Sequence, residues 1–202
     1  MRFLLSWWVF FPLAALLAAA SIVVSLGPML LARDARPAVG ARDGAAFVFA
    51  GDDLAHPAPA PHQVFHVART ATLRTEGLRV AVLPGRGEAQ PEETGVQVLL
   101  APETSLALGE GPFRVEVQTV PVPITMAPRL AIGLDRGGQM EWRTLPLPAV
   151  ASTIVYEFPR GEDGAFVNAI GVRPAASLLD YNYGVELRAI RIMQTPAGAA
   201  AP

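Results

Sequence analysis

The sequence predicts an all-β domain, an antiparallel β-sandwich of jelly-roll type, preceded by one N-terminal transmembrane helix. Three observations carry that expectation. Residues 3–32 contain no Asp, Glu, Lys or Arg. After residue 33, short runs of β-branched and aromatic residues alternate with polar ones at period two, punctuated by Gly and Pro. No stretch after residue 33 carries the 3.6-residue apolar repeat of an amphipathic helix.

Taken in order, the uncharged block comes first. Its length at about 1.5 Å per residue makes a helix of roughly 45 Å, longer than the ~30 Å hydrocarbon core of a bilayer. Trp7, Trp8, Phe10 and Phe11 suit one interface, while Pro12 and Gly27-Pro28 bend or end the helix near its two sides. A cleaved signal peptide is the rival reading, since Ala18-Ala19-Ala20 offers small residues for cleavage. Cutting there leaves Ser21 to Ala32 as an apolar mature end, so a retained anchor over residues 1–32 is preferred. Ala15 and Ala19 head a set of small residues at spacings that let helices approach closely in lipid. Arg33, Arg36 and Arg42 after the span favour a cytoplasmic domain, whereas a short N-terminus with Arg2 alone matches an export signal-anchor. The expectation adopted is single-pass insertion in a bacterial inner membrane with a periplasmic domain.

Residues 33–61 read as a juxtamembrane and proline-rich linker, with a short candidate strand at Ala45 to Ala50. His56-Pro57-Ala58-Pro59-Ala60-Pro61 favours extended polyproline II. The sandwich is expected over residues 62–194, and 195–202 is an Ala/Pro tail. Strands are predicted at Gln63 to Ala68, Leu78 to Leu83, Val96 to Leu100, Pro112 to Val120, Arg129 to Leu134, Gln139 to Thr144, Ser152 to Phe158 and Phe166 to Arg173. Asp135-Arg136-Gly137-Gly138 and Gly161-Glu162-Asp163-Gly164 supply residues that tolerate positive φ in hairpin loops. In the last strand Val185 and Leu187 share one parity and Ile190 and Ile192 the other, so a bulge near Ala189 is needed to bring all four onto one face.

A resemblance rests on these strands. Pro128 to Phe158, with Leu130-Ala131-Ile132-Gly133-Leu134, Trp142 and Tyr156-Glu157-Phe158, followed by Tyr183 to Ile192, resembles the later strands of galactose-binding-domain-like jelly rolls. Many carbohydrate-binding modules belong to that group. The resemblance implies the fold and a class of sugar-binding or adhesion surfaces, and it names no single ligand.

Composition excludes several functions. At 51% hydrophobic residues the chain is not intrinsically disordered, and a net charge of -2 does not suit a nucleic-acid binder working through bulk positive charge. All 16 basic residues are Arg, as a GC-rich bacterial genome would produce. Absent cysteine removes thiol nucleophiles and thiolate metal sites. Ser105, Ser152 and Ser177 lie outside any Gly-x-Ser-x-Gly elbow. His62 and His66, four apart on a strand, stand about 13 Å from each other at roughly 3.3 Å per residue and cannot chelate one ion. Asp135, Glu141, Glu157 and Asp180 are scattered over turns and polar strand positions rather than paired across a scissile bond. Asp52-Asp53 and Glu92-Glu93 read as turn carboxylates rather than calcium ligands.

The surface richest in ligand chemistry joins Trp142 and Arg143 with Asp180, Tyr181, Asn182 and Tyr183, because sugars present C–H faces to aromatic rings and hydroxyls to polar groups. The same residue types anchor protein interfaces. The expectation is therefore a noncatalytic accessory or scaffolding subunit of a bacterial membrane protein complex. The alternative is a membrane-tethered carbohydrate-binding protein of the envelope. Partners are complex subunits, the lipid bilayer and, on the alternative, glycans; no metal, cofactor or nucleic acid is implied.

Overall fold

The computed structural model describes residues 11–18, 21, 34–61, 63–82, 95–123, 125–161, 165–175 and 184–195. The chain divides into two units, Met1–Asp34 and Ala35–Pro202. In the first, residues 11–18 and 21 are helical and exposed, and the Ser21 hydroxyl donates to the Leu17 carbonyl at 2.8 Å. No helix among the described residues is long and apolar enough to cross a membrane. Most of the expected span, Ala19 included, lies outside the described residues.

The second unit is a two-sheet sandwich of β1 (Ala41–Asp43), β2 (Ala46–Ala50), β3 (Gln63–Arg69), β4 (Thr75–Val82), β5 (Val96–Leu99), β6 (Phe113–Val120), β7 (Arg129–Arg136), β8 (Gln139–Pro146), β9 (Ser152–Phe158), β10 (Val167–Ala175) and β11 (Gly184–Gln194). One helix, α1 (Pro102–Leu108), joins β5 to β6. The larger sheet has seven strands around β11; the smaller runs β5-β10-β7-β8. Period-two patterning does the sorting. In β6, Phe113, Val115 and Val117 are buried while Arg114, Glu116 and Gln118 face outward. They meet Leu130, Ile132 and Leu134 of β7 and Ile170 and Val172 of β10 in one core. Each such side chain contributes roughly 1.5–3 kcal/mol on burial.

The expected bulge is present: the register of β11 against β6 shifts between Leu187 and Ala189, and Val185, Leu187, Ile190 and Ile192 are all buried. Gly137 and Gly138, with φ of 63° and 88°, turn β7 into β8, and Asp135 accepts the Gly138 N–H at 2.9 Å.

Two expectations change. Residues 33–61 are not a free linker: β1 and β2 form a hairpin, and β2 pairs with β11 from Ala46↔Met193 to Ala50↔Ala189. Pro57 and Pro59 lack N–H groups, but Ala58 between them exchanges two backbone bonds with Gln97 at 2.7 and 3.0 Å. Alternating proline leaves one edge of the chain able to pair, which is why it lies along β5. The second change is α1. It has Pro102 at its start and no side-chain cap, and at seven residues it is too short to show a repeat. Its Thr104 and Ser105 hydroxyls donate to the Val39 and Val167 carbonyls at 2.6 and 2.7 Å, tying the N-terminal segment to β10.

Candidate functional site

Trp142 stands on β8 opposite Gly133 of β7, which stands opposite Gly171 of β10. These positions are on the outer face of the smaller sheet, since the core-facing residues have the other parity. The indole lies over the glycines: a Cβ on Gly133 would come 2.9 Å from Trp142 Cε3, and one on Gly171 or Gly95 would come 2.7 Å from Cη2. Met140 Sδ would be 2.7 Å from the same Cβ on Gly133. Only hydrogen fits at those positions, so the backbone itself forms the floor on which the ring rests. Ala131 and Ala169 continue that floor. The Arg173 guanidinium carbon is 4.5 Å from the ring centroid, within cation–π range. Trp142 is half-buried, and its Nε1 has no acceptor among the described residues.

Arg143 does not share this surface. Consecutive strand residues point to opposite faces, and Arg143 stands opposite core-facing Ile132, where its Nη2 donates to Glu141 at 2.8 Å. Asp180, Tyr181, Asn182 and Tyr183 lie outside the described residues. Sequence reasoning missed Arg173 and the glycine row. The signal was present in Leu130-Ala131-Ile132-Gly133-Leu134 and Ala169-Ile170-Gly171-Val172, where glycine takes the non-core parity of neighbouring strands.

The other candidates have structural duties. Ser105 and Asp135 hold α1 and the β7–β8 turn, as described. His66 is exposed on β3 opposite Arg79, and the His56 carbonyl accepts the Arg36 N–H at 3.0 Å. Among the described residues no group of three His, Cys, Asp or Glu is placed to hold a metal. The outer face of the larger sheet carries internally paired charges: buried Glu186 meets Arg79 and Arg188, Arg188 meets Glu76, and Arg191 meets Asp43 and Glu116.

A second polar cluster closes one end of the sandwich. Arg136, on the core-facing side of β7, sits over the Phe113 ring and donates through Nη1 to the Pro159 carbonyl at 2.8 Å. Glu141 Oε2 is 3.6 Å from Nη1. Burial pushes the Arg136 guanidinium below its ordinary pKa, and the Glu141 carboxylate opposes that shift.

No family model matches the chain, and no curated protein matches it in sequence. Solved structures are similar to it. The CBM22-1 xylan-binding domain of Paenibacillus barcinonensis Xyn10C has a TM-score of 0.46 at 10% identity, covering 79% of this chain and 97% of its own. The second N-terminal cellulose-binding domain of Cellulomonas fimi β-1,4-glucanase C has a TM-score of 0.38 at 18% identity, covering 67% and 86%. The CBM1 domain of BiXyn10A gives 0.41 at 6% identity, covering 69% and 88%. What these structures share with the chain is a similarity of fold.

Proposed function

We propose that residues 35–195 form a noncatalytic recognition module that binds a glycan on the outer face of the four-stranded sheet, and that the apolar N-terminal segment tethers it to the periplasmic side of a bacterial inner membrane. The observation that carries the glycan reading is Trp142 laid on its floor of Gly133, Gly171 and Gly95 with Arg173 beside the ring. Seated over buried glycines together with Met140, the ring lies low on the sheet and presents a flat outer surface to an extended chain. The indole supplies an apolar surface for sugar C–H groups. Affinity electrophoresis of the full chain in mild detergent against a panel of polysaccharides tests this. Trp142→Ala is expected to weaken retention by about tenfold or more with an unchanged circular dichroism spectrum. No retention of the wild type by any glycan removes the reading.

A second reading, an accessory or scaffolding subunit of a membrane complex, draws on the N-terminal helix, whose Phe11, Leu13, Leu16 and Leu17 are all exposed. Exposed side chains of this kind need lipid or another helix around them. If a partner helix covers them, Ala15→Leu with Ala19→Leu should leave membrane insertion intact and abolish co-purification of partner subunits. Co-purification that survives the double change, and survives exchange of the whole segment for an unrelated apolar one, assigns the segment to tethering alone.

A further inference from the structure

We propose that Arg136 anchors a small oxyanion site at the end of the sandwich, taking a carboxylate or similar planar oxyanion on one edge of its guanidinium. The site is separate from the Trp142 face and does not depend on the glycan reading. The Arg136 side chain is 7% exposed, and its guanidinium carbon lies 5.3 Å from the centroid of the Phe113 ring, so it is held in one place by the core. Nη1 is committed to the Pro159 carbonyl. Nε and Nη2 are buried and find no acceptor among the described residues. These two nitrogens flank the same edge of the planar group, and their N–H bonds run side by side, the spacing that the two oxygens of a carboxylate match.

Charge points the same way. Among the described residues Glu141 is the carboxylate that approaches Arg136, at 3.6 Å, and it is closer to Arg143, at 2.8 Å. Among the described residues two guanidinium groups therefore share one carboxylate and leave one positive charge in excess, on a group the core has desolvated. On the opposite edge the chain packs closely, since a Cβ on Gly161 would lie 2.9 Å from Nη1 and 3.2 Å from Cδ, which fixes the guanidinium with its Nε–Nη2 edge turned away from Gly161. Arg191 Nε also lacks a partner, but its side chain is 36% exposed and borders solvent. A buried water would fill the donors of Arg136 without meeting its charge; an oxyanion does both.

The test titrates the full chain, in mild detergent, with sodium formate replacing sodium chloride at constant ionic strength, reading the unfolding midpoint and the linewidth of ¹³C-formate. The expected result is a saturable rise in Tm with broadening of the formate line. Glu141→Gln leaves both arginines without their shared carboxylate and should tighten the formate response by about threefold or more. Arg136→Lys keeps the charge, removes the paired donors and should abolish the saturable response. A wild-type midpoint indifferent to formate means that water alone fills the edge, and it overturns the proposal. So does a response that persists in Arg136→Lys. Should Arg136→Lys not fold, Glu141→Gln decides, because an unchanged or weaker formate affinity there also overturns it.

Discussion

Tyr156 reaches from β9 of the larger sheet to donate its hydroxyl to the Leu130 carbonyl of β7 at 2.9 Å, bridging the two sheets inside the core. Burial pushes its phenol well above the ordinary tyrosine value. Below about pH 10, the value in an unfolded chain, both states keep the proton and the full stability is present. As pH rises towards the folded value, the unfolded state alone releases its proton, and stability is lost. The unfolding midpoint should therefore hold to about pH 9 and fall above about pH 10. Tyr156→Phe should flatten that fall while costing about 0.5–1.5 kcal/mol near neutrality, because the buried hydrogen bond that joins the two sheets is lost. Scanning calorimetry across the alkaline range decides; identical slopes for both proteins would show that another group governs the loss.

Among the elements, the β1–β2 hairpin shows how a short apolar strand in a proline-flanked segment is recruited into a core. Phe49 and Leu54 are fully buried, and the Gly40 backbone approaches Phe49 so closely that a Cβ there would stand 2.8 Å from its Cε1. Ala38 donates its N–H to the Leu99 carbonyl at the end of β5 and accepts the Ala101 N–H, at 2.8 and 2.9 Å. A fragment beginning at residue 62 loses all of these and uncovers the edge of β11 from Ala189 to Met193. It is expected to be less stable than the 35–195 fragment by roughly 5 kcal/mol or more, given the cost of vacating two large core positions. Urea unfolding of the two fragments measures the difference, and equal midpoints with equal slopes would return the segment to the role of a linker.

For the whole molecule, what was legible in the sequence was what alternation controls. Nine strands at or after Gln63 fall where period two places them, and the β11 bulge followed from a parity change at Ala189 that had no other way to bury four aliphatic residues. The candidate surface was less legible because it depends on register between strands distant in sequence. Trp142 and Arg143 are neighbours in the chain yet face opposite ways, while Trp142 and Arg173 meet because β8, β7 and β10 line up two glycines between them. Nor does the sequence reveal that Arg136, in a turn rich in glycine, would be drawn between the sheets.

β11 comes last of the strands, yet it is the shared neighbour of β2, β4 and β6. Before it is in place, the larger sheet is three separate pieces, β1–β2, β3–β4 and β6–β9, each a two-stranded pair of marginal stability in water. During synthesis this sheet can therefore close only once Gly184–Gln194 has left the ribosome. If the domain is exported, the same delay keeps it threadable through a narrow translocation channel until its last strand has passed, with folding completed on the far side by the arrival of one segment.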